Sequence, residues 1–151
     1  MSQLRDKVRV FSTRVYAGQL LAQLLPEYYE DPQALVLAIP SGGAPVAKAL
    51  AETLRIPWDL AVVKKITPQW NTEVGYGAVA FNGTIKLNPA LVEGFGLSTE
   101  QIKKDLELTK EKVRDRVKKF RGKKTLPDLK DRHLILVDDG LASGFTLLTA
   151  V

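Results

Sequence analysis

At 151 residues with 45% apolar and 26% charged content, the chain is long enough to bury one hydrophobic core and too apolar to be disordered. It has no cysteine and a single histidine, His133, which excludes disulfides, thiolate-bound metals and any centre built on two histidines. The formal charge of +5 admits nucleic acid, an anionic small molecule or a lysine-rich surface as its explanation, and no run of 18 apolar residues offers a membrane span.

Met1 to Val10 mixes charges with single apolar residues, unlike a secretory leader, so a cytoplasmic protein is expected. Val15, Leu20, Leu21, Leu24 and Leu25 fall at spacings of one helical face that Pro26 ends. Ala34 to Ile39 is a short continuous apolar run, the pattern of a strand buried on both faces, and Pro40-Ser41-Gly42-Gly43 closes it. Val46, Ala47, Leu50, Ala51 and Leu54 then recur at helical spacing before Pro57, and Leu60 to Val63 reads as a second buried strand. Strand, helix and strand within about thirty residues predict a βαβ unit with parallel strands.

Residues 65–77 form a loop longer than a compact α/β domain needs, with Pro68, Asn71, Gly75 and Gly77 and few apolar anchors. Ala78–Phe81 and Thr84–Leu87 flank Asn82-Gly83, which predicts a hairpin whose two turn positions take positive φ. Ser98, with Gln101 three residues on, predicts a capping box and a helix to Phe120 with Ile102, Leu106, Val113, Val117 and Phe120 as its apolar stripe. Most of the basic excess lies on this helix and the residues just after it, between Lys103 and Lys124. Leu134 to Val137 is a third buried strand, and a last helix begins near Thr146. No repeat or linker divides the chain, so residues 1–151 are expected to form a single domain.

In open parallel sheets ligands bind beyond the carboxyl ends of the strands, and three such ends here carry unusual residues and are expected to converge. Ser41-Gly42-Gly43 could let backbone N–H groups approach an anion at a helix start, or could be a tight turn. After the third strand come the adjacent acids Asp138 and Asp139, then Gly140, Leu141, Ala142, Ser143, Gly144, Phe145 and Thr146. Paired carboxylates suit sugar hydroxyls or water-bridged magnesium, and a glycine loop with two hydroxyls before a helix suits phosphate. An N-cap with solvated acids explains one carboxylate but not this whole sequence of features.

The stretch from Ile135 to Thr146 resembles the signature of type I phosphoribosyltransferases, a hydrophobic strand followed by two acids and a hydroxyl- and glycine-containing loop. Pro40-Ser41-Gly42-Gly43, Val63-Lys64-Lys65, Asn71, Glu73, Gly77-Ala78-Val79 and Leu87-Asn88 resemble further stretches of a little-characterised branch of that family. The resemblance implies a three-layer, Rossmann-like α/β fold with a parallel sheet and a β-hairpin/long-helix insertion. It implies transfer of 5-phosphoribose from phosphoribosyl pyrophosphate to a nitrogenous base, with magnesium carried on the pyrophosphate. Asp138 and Asp139 would hold the ribose hydroxyls, Gly140 to Thr146 the 5-phosphate, and Ser41, Gly42 and Gly43 the pyrophosphate. Lys64 or Lys65 would neutralise pyrophosphate, with Lys65 matching the pattern directly, and residues 66–77 would be a closing loop.

Two departures matter. Ser41 stands where the branch usually has arginine, and Ala142 stands where enzymes using 6-oxopurines have an acid, which disfavours those acceptors. The family continues some tens of residues beyond the point where Val151 falls, so a C-terminally truncated domain with an exposed sheet edge, open to homodimerisation, is expected. The alternative within the same resemblance is a non-catalytic protein that binds phosphoribosyl pyrophosphate as a regulator.

Other readings fare worse. A P-loop hydrolase needs GxxxxGK[ST], and a dinucleotide-binding domain needs GxGxxG after the first strand, and neither occurs. The lysine-rich helix could bind nucleic acid, but a basic solvent-facing helix accounts for it more simply.

Overall fold

The computed structural model describes residues 10–140 and the backbone of 145–150, with side chains from 148 onward in that last stretch. The expectation about Met1 to Val10 therefore lies, but for Val10, outside the described residues. The chain forms two compact units, one from the described residues of Met1–Asp59 and Leu129–Gly140, the other from those of Leu60–Asp128 and Leu141–Val151.

The first unit is built on a three-stranded sheet in the order β2 (Trp58–Leu60), β1 (Ala34–Ala38), β6 (His133–Val137). β1 and β6 are parallel, with Ala34 opposite His133 and Ala38 opposite Val137. β1 is central and wholly buried, which is why its sequence is a continuous apolar run rather than an alternation. β6 differs from the doubly buried strand expected of it. Its first residues are exposed, Leu134 at 38%, and only Val137 is buried, because β6 has a strand on one side only within this sheet.

Two helices belong to this unit. α2 (Gly43–Leu54) buries the predicted face of Val46, Ala47, Leu50, Ala51 and Leu54, and ends at Arg55, in the left-handed region at φ 56°. α1 (Arg14–Gln23) meets the expectation only in part: Leu20, Leu21 and Leu25 are half-buried, but Val15 and Leu24 are each 50% exposed, and its buried residues are Ala17, Gly18 and Ala22. A Cβ at Gly18 would lie 2.3 Å from the Val46 carbonyl oxygen and 2.8 Å from the Ala49 side chain. The two backbones approach closely at Gly18, so small residues occupy the tightest part of the contact with α2. At the start of β6, His133 Nδ1 lies 2.7 Å from Asp31 Oδ2, and its ring meets Tyr28 edge-on at 6.0 Å. Tyr28 belongs to a short 3₁₀ turn, Pro26–Tyr28, that follows α1.

The second unit holds an antiparallel sheet in the order β3 (Val63–Ile66), β4 (Gly77–Ala80), β5 (Ile85–Leu87). The strand expected at Leu60 to Val63 is here corrected to two: the chain leaves the parallel sheet after Leu60 and enters the second sheet at Val63. Ala61 and Val62 at the join are buried, so the apolar run reports burial across a sheet change. The β4–β5 turn also departs from expectation. Only Gly83 takes a positive φ, 88°, and Gly83 and Ala80 bond back across a four-residue connection, while Asn82 Oδ1 accepts from the Thr84 N–H.

α3 (Pro89–Gly94), capped by Asn88, and α4 (Thr99–Arg121) complete the unit with α5 (Phe145–Ala150), whose Leu148 carbonyl accepts from Lys86 of β5. The capping box is formed: the Ser98 hydroxyl accepts from the Gln101 N–H and the Gln101 side chain accepts from the Ser98 N–H. Val62, Ile66, Tyr76, Val79 and Val113 form the core, with Ile102, Leu106 and Val117 packed on it. Phe120 falls outside the stripe at 40% exposed, and in its place Arg121 is buried, donating to the Leu60 carbonyl at 2.7 Å beneath the Phe81 ring. The connection between β3 and β4 carries buried anchors in Pro68 and Tyr76, contrary to the weakly anchored loop expected.

Candidate functional site

β1 and β6 are parallel neighbours, so their carboxyl ends lie side by side, and the Ile39 N–H donates to the Val137 carbonyl at 2.8 Å just where both strands end. From β1 the chain turns through Pro40 to Gly43 into α2, with the Gly43 N–H bonded to the Ile39 carbonyl and a cis Pro40–Ser41 peptide. From β6 it enters Asp138 and Asp139. The two segments touch. A Cβ at Gly42 would lie 2.1 Å from the Asp139 carboxyl carbon, and one at Gly43 would lie 2.6 Å from the Val137 carbonyl oxygen. At Gly43 a side chain would strike the backbone of β6, and at Gly42 it would displace the Asp139 carboxylate from its present position.

The acids are not equivalent. The Asp139 N–H donates to Asp138 Oδ1 at 2.8 Å. Burial, reinforced by the neighbouring Asp139 charge, raises the Asp138 pKa above the ordinary carboxylate value. Asp139 is held below it, chiefly by Arg14, whose Nε and Nη2 donate to Asp139 Oδ2 at 2.9 and 2.7 Å. Phe11, Thr13, Arg14, Val46, Asp138 and Asp139 border an open cleft of about 380 Å³.

Sequence reasoning missed Arg14. The available signal was a cation in the first turn of a helix, where the dipole disfavours it. Thr13 caps α1, its Oγ1 accepting from the Tyr16 N–H at 3.0 Å, which fixes Arg14 at the helix's first position.

Of the other expected site residues, Gly140 follows the acids as an exposed residue, and Phe145 and Thr146 open α5. Leu141, Ala142, Ser143 and Gly144, and the side chains of Phe145 and Thr146, lie outside the described residues. Lys64 and Lys65 belong to β3 of the second unit. Lys65 Nζ donates to the Glu73 carbonyl at 3.1 Å and its stem lies against Gly75. Lys64 is half-buried, and burial followed by the Arg116 and Lys112 charges lowers its pKa.

The second unit has its own cavity, bordered by Gln69, Trp70, Gln101, Lys104 and Asp105. Asp105 is 4% exposed; Tyr76 donates to its Oδ2 at 3.0 Å and Gln69 to its Oδ1 at 3.3 Å. Burial, then Asp105, drives the Tyr76 pKa upward, so the phenol stays a donor. Among the described residues no group of three potential metal ligands occurs, and no helix is long and apolar enough to cross a membrane.

The fold is α/β, with an acid pair and a glycine turn meeting at adjacent parallel strand ends, and residues 15–151 match the Phosphoribosyl transferase domain family. The chain belongs to that family. It is 34% identical over 148 residues to two Mycobacterium tuberculosis proteins named "Putative phosphoribosyl transferase", MT0597 and Rv0571c, matching 95% of this chain and 32% of each relative. The chain thus spans about a third of the length of these curated relatives. The crystal structure of TT1426 from Thermus thermophilus superposes with a TM-score of 0.72 at 30% identity, covering 93% of this chain and 66% of that one.

Proposed function

We propose that the chain binds phosphoribosyl pyrophosphate at the ends of β1 and β6 and transfers its 5-phosphoribose to a nitrogenous base. The observation that carries this reading is the packing of Gly42 against the Asp139 carboxyl, which joins a glycine turn at a helix start to a pair of acids with unlike environments. Asp138 and Asp139 accept the ribose hydroxyls, and Ser41 to Gly43 offers backbone donors to the pyrophosphate. The family resemblance assigns the 5-phosphate to Gly140 to Thr146 and neutralisation of the leaving group to Lys65 or Lys64. In the reaction the bond from the anomeric carbon to the pyrophosphate oxygen breaks, a carbon–nitrogen bond to the base forms, and the base nitrogen's proton passes to solvent. Carboxylates beside the ribose favour the positive charge that develops on its ring.

Magnesium would be carried on the pyrophosphate, reached by Asp138 and Asp139 through water. It would offset the charge of the leaving group. The deciding experiment is calorimetric titration of folded protein with phosphoribosyl pyrophosphate and magnesium. Saturable binding, weakened by Asp139→Asn, is expected; absence of heat from protein with a cooperative melt would overturn the reading. Pyrophosphate release screened across bases then separates transfer from simple binding.

A further inference from the structure

The cleft at Asp139 contains two carboxylates and, among the described residues that border it, one cation, Arg14. The turn Pro40-Ser41-Gly42-Gly43 contributes no charge. A site for an anion as highly charged as pyrophosphate needs a positive group, and backbone N–H donors alone offer partial charges only.

Arg14 has the geometry for this. Both bonds to Asp139 end on one oxygen, Oδ2, and leave from Nε and Nη2, so they use two of the guanidinium's five N–H donors. Three donors, on Nη1 and the second hydrogen of Nη2, are not spent on Asp139. The Arg14 side chain is 59% exposed at the cleft. The ion pair therefore aims the guanidinium without consuming the edge that would face a second anion. Two helix starts also meet at this carboxylate: α1 brings Arg14 and α2 brings Gly42, whose missing side chain would strike Asp139. A cation at the first position of α1 opposes that helix's dipole, and the Asp139 contact offsets the cost.

We infer that Arg14 is a pyrophosphate-binding residue of this site, held in place by Asp139 and presenting its unspent guanidinium edge to the phosphate oxygens. The inference rests on the reading of the site under Proposed function, and extends it to a residue outside the strand-end turns.

The experiment measures three ligands by calorimetry against the full chain and its variants: inorganic pyrophosphate, ribose 5-phosphate, and phosphoribosyl pyrophosphate with magnesium. Arg14→Gln should weaken pyrophosphate about 10- to 100-fold, the loss of charge-assisted bonds, and leave ribose 5-phosphate within about twofold. Arg14→Lys keeps the charge without the planar fork and should fall between. Ser41→Arg, added to Arg14→Gln, should recover part of the pyrophosphate affinity, since Ser41 is exposed beside the same acids.

If the unaltered protein binds phosphoribosyl pyrophosphate but Arg14→Gln and Arg14→Lys bind inorganic pyrophosphate as tightly as it does, this inference fails and the site reading stands. Weakening of ribose 5-phosphate alone would make Arg14 a positioning residue for Asp139 and would equally overturn it. If the unaltered protein binds none of the three, the site reading itself fails. Should Arg14→Gln lower the melting temperature, the Lys variant and the Ser41→Arg recovery carry the decision.

Discussion

Asp139 and Asp105 are both carboxylates held by two side-chain hydrogen bonds, and they are held in opposite ways. Asp105 sits on the buried face of α4 at 4% exposure, bonded to the neutral donors of Tyr76 and Gln69. Asp139 is exposed at the end of β6, bonded twice to one guanidinium and pressed against a glycine. A buried carboxylate with its oxygens already engaged cements packing, and losing it strands the buried Tyr76 hydroxyl without its acceptor. An exposed one contributes little to stability and remains reachable by a ligand. The same residue type is structural in one place and available for chemistry in the other.

The comparison can be broken by substitution, and the largest effect is expected at the buried site. Asp105→Ala should destabilise the protein by about 3 kcal/mol in urea unfolding, because Tyr76 and Gln69 lose a buried partner. A loss under about 1 kcal/mol would show that the network is replaceable by water. Next is Gly18→Val, which drives a side chain into the Val46 carbonyl and should cost about 2 kcal/mol by forcing α1 from α2. Ser98→Ala removes an exposed capping bond from the helix that carries Asp105 and should cost about 1 kcal/mol, read from the same denaturant series. Asp139→Asn, which breaks an exposed ion pair, should cost less than about 1 kcal/mol while weakening ligand binding. A stability loss as large as that of Asp105→Ala would erase the distinction drawn between the two acids.

Acid titration sharpens the same contrast. Asp139 and Asp31 are held below the ordinary carboxylate pKa by Arg14 and His133 respectively. Their contributions are therefore present above the unfolded carboxylate pKa and vanish as pH falls through the lower folded values. Asp138 acts in the opposite sense, since burial raises its pKa and its protonation on acidification favours the folded state. Carboxyl-carbon NMR should show Asp139 titrating below Asp138, and Arg14→Gln should move Asp139 upward while Asp31 stays in place.

Much of the architecture was readable along the chain. α2 and α4 were legible because each is long enough for its burial period to repeat, β1 because a short run with no polar residue fits a strand buried on both faces, and the Ser98–Gln101 box because a helix start is a local event. The acid pair was legible because a helix cap needs only one carboxylate, so a second one beside it at the end of an apolar strand points to a ligand. α1 was misread in part because its face is chosen by how closely a neighbouring backbone can approach, which leucine spacing does not encode. The Leu60–Val63 run was misread because burial on both sides of a sheet change looks like one buried strand.

What the sequence by itself determined was the place of β1, α2, α4 and β6 along the chain, the family, and two of the segments that meet at the site. Local preference and short-range periodicity suffice for those, since each is decided within a few turns of chain. Only the tertiary structure decided that Arg14 belongs to Asp139, 125 residues away, and that the same carboxylate occupies the space a side chain at position 42 would take. Parallel strand pairing brings distant strand ends into contact, and nothing in the spacing of residues along the chain records which side chains will be found there.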